Sequence, residues 1–342
     1  MTLRVEPFAG DAREWDGFVR QQEGWTHFHL VGWREVIRSA FGHECVYLAA
    51  RDDAGALRGV LPLVRVKSVV FGHFLVSMPF LNYGGPLGEP EAISRLAGHA
   101  VELARRDDVR LLELRSRIAL PVEMPASHRK ITVLLDIPEG GAAALWKRFD
   151  PKLRSQIRRP QKEGVTVQSG NEEVGPFYEV FSRHMRDLGT PTLPRSWFEH
   201  IAGTFGEDAW FTCAYLNRRP VAGGCALRWN GEVEITWASA LVEHKRIAPN
   251  MLVYWNLLER AAAEGAGAFN FGRCTPGGGT HRFKQQWGGR DVPLWWYDHS
   301  TREGTHTPSP DDGAYAWGPR LWKKLPLSIA TALGPRIVRY IP

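Results

Sequence analysis

Apolar and polar positions along this chain follow one order of elements, and they follow it twice. Residues 45–50 (CVYLAA) read as a strand, Asp52, Asp53, Ala54 and Gly55 as a turn, and residues 57–66 (LRGVLPLVRV) as the returning strand. In the second half, residues 210–216 (WFTCAYL), the turn 217–220 (NRRP) and residues 221–229 (VAGGCALRW) repeat that hairpin. A further apolar strand follows in each half. In the first it is residues 71–80 (FGHFLVSMPF). In the second it is residues 232–241 (EVEITWASAL), after an Asn230–Gly231 pair suited to a tight hairpin. Helical spacing then takes over. Ile93, Leu96, Ala97, Ala100, Val101 and Ala104 share one helix face, and residues 251–263 form the counterpart, started by Pro249. A short strand closes each run, at 111–115 (LLELR) and 268–273 (AFNFGR). The halves are offset by about 160 residues, the scale of one domain.

Two copies of hairpin, strand, helix and strand predict an α/β fold made of two tandem domains, each a mixed sheet flanked by helices. The boundary is expected near residues 138–141 (PEGG), giving a first domain over 1–138 and a second over 139–299. Just after it, residues 142–162 predict one very basic helix carrying Lys147, Arg148, Lys152, Arg154, Arg158, Arg159 and Lys162. The tail, 300–342, reads as a polar linker (300–314) and a basic amphipathic segment with tryptophans (316–342).

Composition changes this picture in few places. A length of 342 residues is more than one core holds comfortably, in keeping with two domains. The stretch MTLRVEPFAGDAREWDGF has no apolar core, so a signal peptide is not expected, and no apolar run is long enough to span a bilayer. A cytoplasmic protein is the expectation. Cys45, Cys213, Cys225 and Cys274 are far apart and form no CxxC pair, so they read as reduced thiols rather than a disulfide framework or zinc site. His27 and His29 lack a partnering pattern of further ligands, and no metal is expected. The net charge of +6 favours an anionic partner. No GxSxG elbow, Walker loop, Rossmann fingerprint or RNA-module signature is present, and no DNA partner is expected.

Three places combine residue types suited to a ligand. Lys245 and Arg246 precede a helix that starts at Pro249 and Asn250, where free N–H groups and the helix dipole favour phosphate. Residues 272–289 (GRCTPGGGTHRFKQQWGG) gather glycines with Arg273, His281, Arg282 and Lys284 as donors, and Phe283 and Trp287 as walls. Lys152, Arg154 and Arg158 have few acids nearby to pair with, and fit an anion such as tRNA backbone, a nucleotide-sugar pyrophosphate or phospholipid. In the first half, Asn82 and Tyr83 in FLNYGGP stand either as donors at a cleft or as part of a structural turn.

Several of these blocks resemble the FemAB-like family. The stretch PNMLVYWNLLERAAAEGAGAFNFGR, then GTHRFKQQWGG, is similar to that family's closing signature. FGHECVYLAA, GVLPLVRVKS, LNYGGP and RHMRDLGTPTLPRSWFEHI resemble the branch found beside exosortase/PEP-CTERM systems, and the likeness runs over roughly residues 1–298. The resemblance implies tandem GNAT-like domains. It implies kinship with enzymes that move amino acids from aminoacyl-tRNA onto cell-wall precursors, and with related N-acyltransferases. It suggests work in exopolysaccharide or envelope assembly. Asn270 departs from the pattern, since an Asp is usual there; so does Cys274, where Ser is more common. The glycine-rich pyrophosphate loop of GNAT folds is missing before Pro249, and no heptads mark the coiled-coil arm common in tRNA-using members.

The implied chemistry is attack of an amine on an activated ester or thioester. The co-substrate is acyl-CoA, acyl-carrier protein or aminoacyl-tRNA, with no tightly bound cofactor. Backbone N–H groups of the strand at 232–241, with Trp237 and Ser239 near its end, are expected to stabilise the oxyanion. Tyr254 or His244 is expected to assist proton transfer. Arg246, Arg273, His281 and Lys284 are expected to hold an acidic or phosphorylated envelope precursor, so that Lys284→Ala costs activity with little loss of fold. A non-catalytic binding protein for such a precursor, and a tRNA-reading protein, are the competing readings. Trp317, Arg320, Trp322, Lys323 and Lys324 among Leu325, Leu327, Ile329, Ile337 and Val338 fit peripheral contact with the inner membrane face and fit docking onto the protein's own surface equally well.

Overall fold

The computed structural model describes residues 2–68, 72–300 and 317–341. The linker expected over 300–314 lies almost wholly outside the described residues. The chain divides into two compact units, residues 1–130 with 293–309 and 338–342, and residues 131–292 with 310–337.

The first unit opens with β1 (Arg4–Pro7), α1 (Ala12–Val19) and α2 (Gly32–Phe41). The expected hairpin is β2 (Glu44–Arg51) and β3 (Leu57–Ser68), antiparallel through a turn in which Asp52 Oδ1 accepts from the N–H of Ala54 and Ala56, both at 2.9 Å. β4 (Gly72–Val76) continues antiparallel to β3, and β5 (Leu87–Gly88) caps the far end of β3. Then come α3 (Pro90–Arg106) and β6 (Leu111–Ser116), which lies parallel to β4. The face of α3 read from sequence, Ile93, Leu96, Ala97, Ala100 and Ala104, is buried on the sheet, while Val101 is only partly covered. The strand expected over 71–80 stops at Val76. Residues 77–85 turn and run along β6: Ser77 N–H reaches Glu113 O at 2.9 Å, Arg115 N–H reaches Ser77 Oγ at 2.7 Å, and Gly84 N–H reaches Arg115 O at 3.0 Å.

The next two strands depart from the expected boundary. β7 (Ala126–Ser127) stays with the first sheet, but β8 (Ile131–Asp136) pairs in the second. The first sheet is completed instead by a strand from much later in the chain, β15 at Trp295–Ser300, antiparallel to β6. Each unit thus takes a strand from the stretch of chain nominally belonging to the other, and the division falls at residue 130 rather than 138.

In the second unit the basic stretch forms two helices, α4 (Gly141–Arg148) and α5 (Pro151–Lys162), not one. Proline disfavours helical geometry in the residue before it, so Asp150 is extended and its Oδ1 caps Leu153 N–H at 2.7 Å. β9 (Thr166–Ser169), α6 (Val174–Leu188) and α7 (Arg195–Phe205) lead to β10 (Ala209–Leu216), β11 (Arg219–Trp229) and β12 (Glu232–Ala240), all antiparallel neighbours. α8 (Pro249–Ala263) crosses to β13 (Ala268–Cys274), parallel to β12. α9 (Gly279–Gln285) and β14 (Arg290–Pro293) follow, and α10 (Trp317–Trp322) and α11 (Leu327–Val338) end the described chain. Gly223 and Gly224 sit mid-strand in β11 for a packing reason. A Cβ on Gly223 would stand 3.1 Å from Phe177 of α6, and one on Gly224 3.1 Å from Val253 of α8, so a helix presses on each face of the sheet.

Candidate functional site

The second sheet forks. β12 and β13 pair only from Glu232 to Glu234 and from Ala268 to Asn270. Beyond that point β12 stays with β11 as far as Ala240, and β13 stays with β8. Asn270 fastens the crotch. It is fully buried, its Oδ1 accepts from Thr132 Oγ1 and from Gly272 N–H (2.8 Å), and its Nδ2 donates to Glu232 Oε1 at 2.8 Å. An Asp there would lose the donor and face Glu232 with a like charge, which accounts for Asn at this position physically. On β12 one extra residue, Thr236, is inserted opposite the Cys225–Ala226 step, a bulge that twists the strand away from the fork. Past Glu234 the edge of β12 that faced β13 therefore has no ladder partner among the described residues.

Ser239 lies on this free stretch. It is buried, and its Oγ is 3.0 Å from Nδ1 of His184 on α6. Burial depresses the His184 pKa below the usual imidazole value, so the ring is neutral at pH 7. His184 was not singled out from sequence; a lone histidine on an amphipathic helix carries no signal until its partner is known. Trp237 is half-buried and packs edge-on against Trp197 (6.2 Å) and Phe198 (5.5 Å) of α7. His244 ends a short turn of helix after β12 and is partly exposed. Its neighbour Glu243 ties the turn to α6 through Arg183 at 2.7 Å.

The start of α8 is as expected, with Pro249 and Asn250 in its first turn, where N–H groups lack intrahelical partners. Ala248 caps it in the left-handed region, φ +54°, a strained position for a residue with a Cβ. Lys245 and Arg246 are exposed beside this end, and Arg159 of α5 donates to Arg246 O at 3.3 Å. On α5, Arg154, Ser155, Arg158 and Lys162 line a surface hollow of about 400 Å³, with Arg158 stacked over Trp146 at 5.0 Å. Lys152 is exposed on the same helix.

The glycine-rich stretch serves the protein's own backbone more than sequence suggested. Lys284 is buried and donates to Gly272 O (2.6 Å) and Arg273 O (2.9 Å), so its ammonium clamps the end of β13. Burial pushes its pKa down to about 8, partly offset by Cys274 and Glu234. His281 uses both ring nitrogens internally: Nδ1 accepts from Gly277 N–H at 2.9 Å, and Nε2 meets Asp291 at 2.9 Å. Phe283 and Trp287 are core rings packed with Tyr254, at 5.0 and 6.0 Å. Tyr254 is itself buried, and burial raises its phenol well above the ordinary value, which removes it as a base near neutral pH. Arg273 is half-buried at the end of β13. In the first unit, Asn82 and Tyr83 are buried in the segment along β6, and the Tyr83 ring meets Phe28 at 5.3 Å. They are the structural turn rather than donors at a cleft. His29, which follows Phe28 in the chain, donates from Nε2 to Gly85 O at 3.1 Å and accepts from Thr26 N–H at 3.0 Å.

All four cysteines are free thiols, and burial pushes that of Cys45 up to about 12. Among the described residues no group of three or more His, Cys, Asp or Glu is placed to hold a metal ion. Nor is any helix among them long and apolar enough to cross a membrane.

The family model described as an acetyltransferase (GNAT) domain matches residues 147–285, within the second unit. No curated protein matches the chain. Among solved structures, a crystal structure of FemX aligns with 85% of this chain and 97% of its own, at 16% identity and a TM-score of 0.65. The C-terminal domain of a putative lysylphosphatidylglycerol synthetase from Agrobacterium fabrum aligns over 84% and 91%, at 12% identity and TM-score 0.57. A tandem GNAT protein from the clavulanic acid biosynthesis pathway aligns over 89% and 100%, at 14% identity and TM-score 0.56. At such identities the likeness is one of fold. The chain has a tandem GNAT-like fold, two mixed sheets each flanked by helices, of the kind seen in FemX, and its second half matches the GNAT domain model over residues 147–285.

Proposed function

We propose that the chain is an acyl- or aminoacyl-transferase that forms an amide on an amine of a cell-envelope or exopolysaccharide precursor, working in the fork of the second unit. The observation that carries this reading is the parting of β12 from β13 after Glu234 and Asn270, with Ser239 on the freed strand and Nδ1 of His184 on α6 at 3.0 Å from its Oγ. The activated carbonyl of the donor lies against the open edge of β12, whose N–H groups stabilise the oxyanion. The amine nitrogen bonds to that carbonyl carbon and the ester C–O or thioester C–S bond breaks. His184 takes the proton shed by the nitrogen, directly or through Ser239 Oγ, and the departing oxygen or sulfur is protonated in turn. His184 replaces His244 and Tyr254 as the preferred proton acceptor. The α8 N-terminus with Lys245, Arg246 and Asn250, together with Arg154 and Arg158, binds anionic parts of donor or acceptor.

Resemblance to the FemAB-like family and a fold shared with FemX and a lysylphosphatidylglycerol synthetase domain favour aminoacyl transfer to an envelope component. Resemblance to the exosortase/PEP-CTERM branch favours an exopolysaccharide setting. Thermal-shift titration against acyl-CoA, acyl-carrier protein and aminoacyl-tRNA tests the donor, since a ligand of the folded state raises the midpoint with concentration. Transfer to hydroxylamine, compared between the native chain and His184→Ala, then tests the chemistry. A saturable shift with transfer that the variant lacks is the expected result. Saturable binding with no turnover overturns the enzyme reading in favour of a precursor-binding protein.

A further inference from the structure

We infer that the end of the second unit built by α10, α11 and the C-terminal turn of α6 is a docking surface for a bilayer with anionic headgroups. Six large apolar side chains are exposed among the described residues, and five belong to elements that meet there: Leu188 (51%), Val242 (55%), Leu321 (56%), Ile329 (43%) and Leu333 (40%). Singly exposed apolar residues are ordinary on a protein surface; a gathering at one end is not. The meeting is close. Gly189, next to Leu188, is packed so tightly on Pro319 of α10 that a Cβ would stand 2.6 Å from its carbonyl oxygen. Gly334 of α11 is pressed on Thr192, where a Cβ would stand 2.8 Å from the backbone nitrogen, and Arg186 Nη1 donates to Leu325 O at 3.1 Å. Val242 belongs to the turn held to α6 by Arg183 and Glu243. α11 thus buries Ala330 and Gly334 against the unit and leaves Ile329 and Leu333 outward.

Charge selects the occupant. Residues 317–341 contain no acid, and Arg320, Lys323, Lys324 and Arg336 are exposed among these apolar side chains, with Lys245 and Arg246 just past Val242. In a two-fold contact with a second copy, the same cations would face each other with no acids of this segment to pair with. An anionic lipid surface satisfies both features: basic side chains meet headgroups while leucine and isoleucine enter the interface. Val242 follows Ser239 by three positions and Leu188 follows His184 by four, so the same surface would bring a membrane-held amine to the fork. Docking itself needs no turnover and is independent of the transfer chemistry.

The test is co-sedimentation of the full chain with vesicles of phosphatidylcholine alone and of phosphatidylcholine mixed with phosphatidylglycerol, over a range of salt. Binding to the mixed vesicles only, weakening as salt screens the cations, is expected. Lys323→Ala with Lys324→Ala should weaken that binding roughly thirtyfold, at the usual contribution of a lysine near an anionic surface. Ile329→Glu with Leu333→Glu should abolish it while leaving the circular dichroism spectrum unchanged; if that pair misfolds, the lysine pair decides. Equal binding to both vesicle types, no binding to either, or full binding by the lysine variant would overturn the inference. So would a doubled mass in light scattering that the glutamate variants return to monomer, because the surface would then belong to a second copy.

Discussion

The two units carry the same run of strands and helix, yet they treat its one parallel junction differently. In the first, β4 lies beside β6 from Phe74 to Val76, and the chain then folds into the space where the strands would part. Ser77, Leu81 and Gly84 all hydrogen-bond Arg115, and Tyr83 and Asn82 are buried behind them. In the second, β12 leaves β13 after Glu234 and simply continues along β11, so the corresponding space keeps its backbone edge. The repeated topology sets two such junctions; a segment of nine residues, 77–85, fills one of them. A shared topology therefore says where a site can be, and the local path after the third strand says whether it is there.

Damage to the closed fork should cost stability and leave chemistry alone. Tyr83→Ala removes a fully buried ring packed on Phe28 and should cost about 3–5 kcal/mol of stability, read by urea unfolding, with the turnover of the remaining folded protein unchanged. If turnover collapsed at full stability, the first fork would be a working site. His184→Ala asks the opposite of the open fork. It should lower kcat by about 10²-fold or more with a thermal midpoint close to native, because the loss of a positioned proton acceptor is worth that much. Since burial lowers the His184 pKa, the acid limb of the kcat/KM profile should fall below the ordinary imidazole value of about 6.5. A limb at or above it would assign the titration to another group.

Lys284 contributes on a smaller scale. Its ammonium holds two carbonyls of β13 at the mouth of the open fork. Lys284→Ala should therefore lose about 1–3 kcal/mol of stability from the unpaired carbonyls, alongside any loss of transfer. The folded pKa, near 8, lies below the free value of 10.5, so the unfolded chain binds more protons between them, and native stability gains as pH rises through that window. Activity lost at unchanged stability would return Lys284 to the ligand-holding role read from sequence.

That reversal shows what pattern alone conveys. Periodicity located the hairpins, the buried face of α3 and the helix at Pro249 because each is set by neighbours a few residues apart. The exchange of β8 and β15 between sheets was not legible, since an apolar strand states which face it buries and not which sheet it joins. Lysine, histidine and glycine around residues 272–289 suit a phosphate and suit a backbone clamp equally; only the burial of Lys284 and the Asp291 partner of His281 separate the two. His184 and Ser239 are 55 positions apart, and the bulge at Thr236 that turns the strand carrying Ser239 exists only in the pairing with β11.

The closed fork differs from the open one in one further property, its buried charge. Behind the segment along β6, Glu113 is fully buried and bridges Arg115 (2.6 Å) and Arg129 (2.7 Å), and Trp296 lies between both guanidinium groups at 4.6 and 4.7 Å. Asp298 joins through Arg129 at 3.3 Å, with its other oxygen buried and without a hydrogen-bond partner among the described residues. Burial, with Glu113 nearby, pushes the Asp298 carboxyl up to about 6, against the pull of the two arginines. In the unfolded chain it titrates near 3.8, so between those values the folded protein binds the extra proton, and stability must fall as pH rises across that window. Asp298→Asn keeps the shape and removes the titration. The variant should lose the decline between about pH 4 and about pH 6 that urea unfolding shows for the native chain, and should equal or exceed it in stability at neutral pH. A variant weaker than native at neutral pH would mean that the Arg129 pair outweighs the burial of the carboxylate, and that the closed fork is held by charge as well as by its segment of chain.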